Sequence, residues 1–310
     1  MIRIKNLTKR FGELKAVDDV TFDVHTGQIL GFLGPNGAGK TTTVRIITCY
    51  LAPTSGKVEV DGLDVSEHSL EVRKKIGYLP ENAPLYSEMN VLDYLRFIMG
   101  VRGVAKERWS ERTNEITDVC GLGPVINRNI GELSKGFRQR VGLAQAMVHN
   151  PDILILDEPT SGLDPNQIAE IRSLIKELGK EKTVILCTHI LPEVEATCSR
   201  VLIINEGRIV ADGSPTELQS SFQGKEQIYL ELKTPSEDVQ GKLARLENVE
   251  NVERISTEGD DLKKFTVDCT KGVDLRENLF RLAVENDWIL LEMRQEQASL
   301  EDVFRQLTTS

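Results

Sequence analysis

The chain has 310 residues, 40% of them hydrophobic and 28% charged, enough for two modest domains and incompatible with a wholly disordered, collagenous or low-complexity polymer. Its formal net charge of −10 excludes a general electrostatic grip on nucleic acid or anionic lipid. No run of sequence approaches the roughly 18 apolar residues of a membrane span. The amino terminus MIRIKNLTKRF has no apolar core of a secretory signal. Five scattered cysteines without a C-x-x-C pair point to reduced, mostly buried thiols. The expected location is the cytoplasm, with membrane association only through a protein partner.

In chain order, strands are predicted at residues 2–7, 20–24, 29–33, 76–79, 153–156, 184–187 and 201–204. Several of these runs are apolar throughout, the pattern of strands buried on both faces in a largely parallel sheet covered by helices. From about residue 84 to 150 helical periodicity replaces the strand signals, as in 91–99 and 106–119, implying a helical subdomain inserted into the sheet domain. Ser214-Pro215-Thr216-Glu217 reads as a helix start, and 220–224 as a linker. The expected division is therefore 1–221 and 222–310. The second part predicts strand 227–232, helix 237–246, strands 249–255 and 264–268, helix 274–285 and strand 288–294. That is the βαββαβ order of a ferredoxin-like α+β sandwich, closed by a helix at 300–307. Residues 221–310 carry a net charge of −7, against −3 for the first 220.

Gly34-Pro35-Asn36-Gly37-Ala38-Gly39-Lys40-Thr41 is a complete G-x-x-x-x-G-K-[ST] between a predicted strand and a predicted helix. Glycines at these positions let backbone N–H groups converge on phosphate oxygens, the helix amino end adds positive potential, and Lys40 reaches the β- and γ-phosphates. Thr41 ligates Mg²⁺, with Thr42 a further hydroxyl. Ile153-Leu154-Ile155-Leu156-Asp157-Glu158 is an apolar strand ending in two carboxylates, where ligands of open α/β sheets bind. Asp157 suits the magnesium shell, and Glu158 suits activation of water. Leu133-Ser134-Lys135-Gly136-Phe137 opens a predicted helix, so the Ser134 hydroxyl and the Gly136 N–H form a second anion-seeking element. On its residues alone, this segment is equally an ordinary capped helix.

With these motifs in this order, residues 1–220 resemble the ATP-binding cassette family. The resemblance implies a P-loop fold with a mixed, largely parallel sheet and an inserted helical subdomain. It implies ATP and Mg²⁺ as cofactors and a homodimer sharing each nucleotide. Leu133 to Phe137 then match the family signature, with Ser134 and Gly136 acting in trans. Ser161-Gly162-Leu163-Asp164 matches the loop that crosses the dimer interface, and His189 the switch histidine at the γ-phosphate. Phe11 matches the aromatic under adenine, and Glu81 lies in the loop that senses magnesium and the membrane partner. Lys135, Phe137 and Glu81 depart from the family's usual glycine, glutamine and glutamine. These departures are similar to an exporter-type subclass that includes gliding-motility and multidrug ATPases. The implied function is the ATP-hydrolysing subunit of a membrane transporter, held at the inner face of the membrane by integral-membrane permease subunits, with no nucleic-acid partner. The rival reading is a soluble cassette ATPase of translation or DNA maintenance. It usually requires a second cassette or a long coiled coil between loop and signature, and the sequence has neither.

Overall fold

The computed structural model describes every residue except 223–225, 236–237, 259–261, 271–272, 297–298 and 309–310. The chain divides into two units, Met1–Pro215 with Phe304–Ser310, and Thr216–Val303. The division falls in the first turn of a helix, Pro215–Phe222, rather than at the expected 221/222. Residues 220–222 of the expected linker belong to this helix, and its remaining residues, 223–224, lie outside the described residues.

The first unit opens with strands β1 (Ile2–Phe11), β2 (Leu14–Val24) and β3 (Ile29–Leu33), then helix α1 (Lys40–Ile47). Next come β4 (Ser55–Val60), β5 (Leu63–Asp64), α2 (Ser69–Lys75) and β6 (Ile76–Leu79). Helices α3 (Val91–Val101), α4 (Trp109–Val119) and α5 (Lys135–Met147) follow with no strand between them. The expected helix at 106–119 starts as a 3₁₀ turn over Lys106–Arg108 and becomes α-helical at Trp109, whose indole N–H is held by the Val104 carbonyl at 2.8 Å. The unit continues with β7 (Ile153–Asp157), α6 (Pro165–Gly179), β8 (Thr183–Thr188), α7 (Leu191–Thr197), β9 (Arg200–Asn205) and β10 (Arg208–Gly213). Helix α8 is the Pro215–Phe222 segment.

Strands β2-β1-β4-β5 make an antiparallel sheet, and β10-β9-β3-β8-β7-β6 a six-stranded one. In the latter only β10 runs antiparallel. In β1 the side chains of Ile2 and Ile4 are buried and those of Arg3 and Lys5 exposed, the period-2 alternation of a sheet with one wet face. Strands β7 and β8 are buried at every position, as a parallel sheet between helical layers requires. At Gly31 of β3 a Cβ would stand 2.6 Å from Val194 Cγ1, so α7 packs on β3 too closely for any side chain. Register places Leu33 level with Thr188 and Asp157 level with Cys187. The carboxyl ends of β3, β8 and β7 therefore lie side by side, and the chain leaving each one begins at the same edge.

The second unit contains β11 (Glu226–Lys233), α9 (Val239–Leu243), β12 (Val249–Glu258), β13 (Leu262–Cys269), α10 (Arg276–Glu285) and β14 (Ile289–Glu296). Helix α11 is Leu300–Thr308. The strands order as β12-β13-β11-β14, all antiparallel, the ferredoxin-like arrangement. Ile228, Leu230 and Leu232 of β11 enter a core with Phe265, Val267, Leu243 and Leu279. Helix α9 is shorter than the expected 237–246. The start of that expected segment, Glu237, lies outside the described residues, while Gly241 inside the helix weakens it and the chain turns at Leu246 to enter β12.

Candidate active site

The loop after β3 is shaped by glycines that nothing else can replace. At Gly34 a Cβ would lie 2.4 Å from the Ile204 carbonyl oxygen, and Gly39, at φ +109°, would place one 2.4 Å from that of Ala16. Gly39 is also the N-cap of α1, whose first turn has no acidic side chain, so the positive end of the helix and its unpaired N–H groups remain uncompensated. Lys40 is buried, and its ammonium donates to the carbonyls of Gly34 at 2.6 Å and Pro35 at 3.2 Å. Ala38 accepts from the Gly207 N–H, which fixes the far side of the loop.

A cleft of about 360 Å³ opens over this loop. Asn36, Gly37, Gly39, Lys40, Thr41 and Thr42 line it from one side. Glu81 after β6, Asp157 and Glu158 at the end of β7, Ser161, and His189 after β8 complete it. Asp157 is 1% exposed, and its Oδ2 accepts from Thr41 Oγ1 at 3.1 Å. Its Oδ1 is buried with no hydrogen-bond partner among the described residues. Burial pushes the Asp157 carboxyl up to about 6, the nearby charges of Glu158 and Glu81 adding to the rise and the Thr41 hydrogen bond opposing it. A carboxylate costly to ionise, with one oxygen unclaimed, fits a cation.

Glu158 stands at φ +50°, a left-handed conformation that is costly for a glutamate and concentrates at functional positions. Its N–H is fixed by the Cys187 carbonyl at 2.8 Å. Its carboxylate accepts from His189 Nδ1 at 2.9 Å and from Thr188 Oγ1 at 3.3 Å. Thr188 Oγ1 in turn accepts from the Ile190 N–H at 3.1 Å. The carboxylate is thus held in one orientation by groups from the end of the neighbouring strand.

The other predicted residues do not line this cleft. Ser134 caps α5, its hydroxyl accepting from the Phe137 N–H at 3.3 Å. Gly136 is buried against α6, where a Cβ would come within 2.7 Å of the Gln167 side chain. Asp164 caps α6, accepting from the Gln167 N–H at 3.0 Å. An Arg140–Glu170 ion pair joins the same two helices. Phe11 is 49% exposed near the β1–β2 turn, with the Lys9 ammonium 5.2 Å from its ring centre. Sequence reasoning passed over Ser161 as a lining residue and Thr188 as a partner of Glu158. A hydroxyl next to His189 at a strand end was the available signal for Thr188.

The sequence pattern of the ABC transporter family matches residues 17–161. The chain is 39% identical over 231 residues to the probable multidrug ABC transporter ATP-binding protein YbhF of Escherichia coli, covering 73% of this chain and 39% of that longer protein. It is 32% identical over 309 residues to the bacitracin transport ATP-binding protein BcrA of Bacillus licheniformis, covering 99% of this chain and 97% of that one. Among solved structures, the dimeric post-hydrolysis state of the ATP-binding cassette MJ0796 bound to ADP and Pi superimposes with a TM-score of 0.64. Sequence identity there is 27%, and the match covers 69% of this chain and 98% of that one. The P-loop cleft, the carboxylates at the end of β7 and these likenesses agree: the chain belongs to the ABC transporter ATPases, as an ATP-binding subunit.

Proposed function

We propose that the chain hydrolyses ATP at a site shared between two copies and thereby drives an exporter whose permease is a separate integral-membrane subunit. The observation that carries this reading is the Glu158 carboxylate, fixed between His189 and Thr188 at the edge of the Lys40 cleft. A general base must be aimed before it can take a proton, and the strained backbone of Glu158 aims it. Phosphate oxygens would exchange for the Gly34 and Pro35 carbonyls as acceptors of the Lys40 ammonium, while the N–H groups of Asn36 to Thr42 converge on the same phosphates. His189, its Nδ1–H committed to Glu158, turns its other ring nitrogen to the γ-phosphate.

Mg²⁺ would be held by Thr41 and the free oxygen of Asp157, with Glu81 at its edge, and would neutralise charge across the β- and γ-phosphates. Ser134, Gly136 and Asp164 lie outside the cleft of their own chain, which supports their acting on the nucleotide of a second copy. Phe11, half-exposed on the same unit, is assigned to adenine. A groove lined by the exposed Tyr50, Leu70 and Val101 beside Pro80 is the face assigned to a cytoplasmic helix of the permease, which would hold the subunit at the inner face of the membrane. Among the described residues, no helix is long and apolar enough to cross a membrane. Glu158→Gln tests the reading: turnover should fall at least ~100-fold, the usual effect of removing a general base, with ATP binding retained and an ATP-bound dimer visible by size exclusion. Near-normal turnover would defeat the assignment.

A further inference from the structure

A second polar cavity lies at the opposite edge of the six-stranded sheet, where β6 and β7 begin rather than end. It measures about 410 Å³ and is bounded by α2, by the turn after α3 and by the turn after α5. Its charged and polar lining is Lys74, Arg102, Arg108, Arg112, His149 and Asn150, and no carboxylate lines it. In a chain of net charge −10, this pocket gathers four cations and no carboxylate among its lining residues.

The cations are not equivalent. Arg112 is committed: its guanidinium is 5% exposed, donates to the carbonyls of Met147 at 2.8 Å and Val148 at 3.2 Å, and pairs with Glu115. Arg108 lies 3.8 Å from Glu111. Arg102 and Lys74 have no carboxylate partner among the described residues. Arg102 Nη1 donates to the Arg73 carbonyl at 2.9 Å, which leaves the rest of the fork unclaimed, and burial lowers its pKa. His149 forms the wall between them and the sheet, its Nε2 3.2 Å from the Ile76 carbonyl. Burial, followed by the charges of Arg102, Arg112 and Lys182, pushes its imidazole down to about 4. Lys182 is occupied by the Asn150 side chain and the Pro151 carbonyl.

We propose that this cavity binds a phosphate group, gripped by the free edge of the Arg102 guanidinium and by the Lys74 ammonium. A half-desolvated guanidinium without a counter-ion is costly unless an anion supplies one. A planar fork beside a mobile ammonium suits the tetrahedral oxygens of phosphate. The phosphate has two possible sources, the free ion and a phosphomonoester lipid headgroup. The inference does not depend on the hydrolytic reading, because the cavity shares no residue with the Lys40 cleft, although Lys74 and Arg102 also border the groove assigned to the permease helix.

The test uses the full chain with ADP in its cleft, so that the phosphate loop is already filled. Inorganic phosphate is titrated while the four histidine imidazoles are followed by NMR. The His149 resonances should move saturably and its pKa should rise, because an anion among the cations favours the imidazolium, while His189 stays in place. Lys74→Gln, at an exposed position, should weaken the response about tenfold, the effect of losing one hydrogen bond between charged groups. Arg102→Lys should weaken it as well. Co-sedimentation with phosphatidylcholine vesicles, with and without phosphatidic acid, assigns the source. Lys74-dependent sedimentation with phosphatidic acid identifies a headgroup, and a phosphate response without sedimentation identifies the free ion. A His149 signal that ignores phosphate, answers equally to chloride, or is unchanged in Lys74→Gln would overturn the proposal.

Discussion

Strand β7 is buried from Ile153 through Asp157, whereas β11 buries Ile228, Leu230 and Leu232 and leaves Tyr229 and Glu231 less covered on the other face. The contrast sets where each unit can present polar groups. A strand covered on both faces reaches solvent only at its ends, so the first unit gathers Lys40, Asp157, Glu158 and His189 where neighbouring strands stop. A one-faced sheet can offer its length, and the second unit spreads polar residues along it, as where the Arg294 guanidinium lies 4.3 Å above the Tyr229 ring. Chemistry that needs several groups within a few ångströms belongs to the first arrangement. The second suits contact or regulation.

The largest expected effect lies in the first unit and crosses between copies. Ser134→Arg should eliminate turnover by placing bulk and charge at the opposing nucleotide, yet leave ATP binding at its own Lys40. Mixing it with Lys40→Ala should restore part of the activity, since one composite site then has both intact halves. Equal loss of nucleotide binding in the two single variants would remove the shared-site model.

Asp157→Asn should separate stability from function at one strand end. The Asp157 carboxyl is raised to about 6, so its stabilising contribution is complete below about pH 4 and is lost as pH rises towards 6. The asparagine variant should therefore melt higher than the parent near neutral pH without nucleotide, by at most about 3 kcal/mol. It should also lose the extra stabilisation that magnesium adds in the presence of ATP. A thermal-melt series across pH that shows the same slope for both proteins would contradict the burial argument.

Glu81→Gln should produce a smaller change, a weaker magnesium dependence of ATPase activity with magnesium-free nucleotide binding equal or tighter, because a carboxylate near phosphate helps only when a cation lies between them. An unchanged magnesium titration at fixed ATP and ionic strength would end that role. The smallest effect is expected from ending the chain after Pro215. ATPase activity should remain measurable, with a melting temperature a few degrees lower, since Asn205 loses its hydrogen bond to the Leu307 carbonyl, worth about 1 kcal/mol. A folded truncation with no hydrolysis would place part of the machinery in the removed residues, either the second unit or the Phe304–Ser310 segment of the first.

What the sequence revealed follows the range of the interactions concerned. The phosphate loop is contiguous, and its glycines answer local backbone demands, so Gly34 to Thr42 could be read directly. The strand carrying Asp157 and Glu158 was visible because two-sided burial makes it uniformly apolar. Strand β4 was not visible: Ser55, Gly56 and Lys57 are exposed, and the strand exists through pairing with β1, about fifty positions earlier. The Thr188–Glu158 contact was hidden for the same reason, since it depends on the alignment of β7 with β8 rather than on either segment alone. In the second unit, alternation gave the strands and their order, but helix α9 keeps only the turn whose Val239 and Leu243 reach the core.

The Lys40 ammonium closing on its own loop affects the end of the catalytic cycle as well as its start. When a phosphate leaves, a deeply placed cation would ordinarily remain bare, and stranding it would cost several kcal/mol. Here the Gly34 and Pro35 carbonyls receive it at hydrogen-bonding distance, so departure becomes an exchange of acceptors.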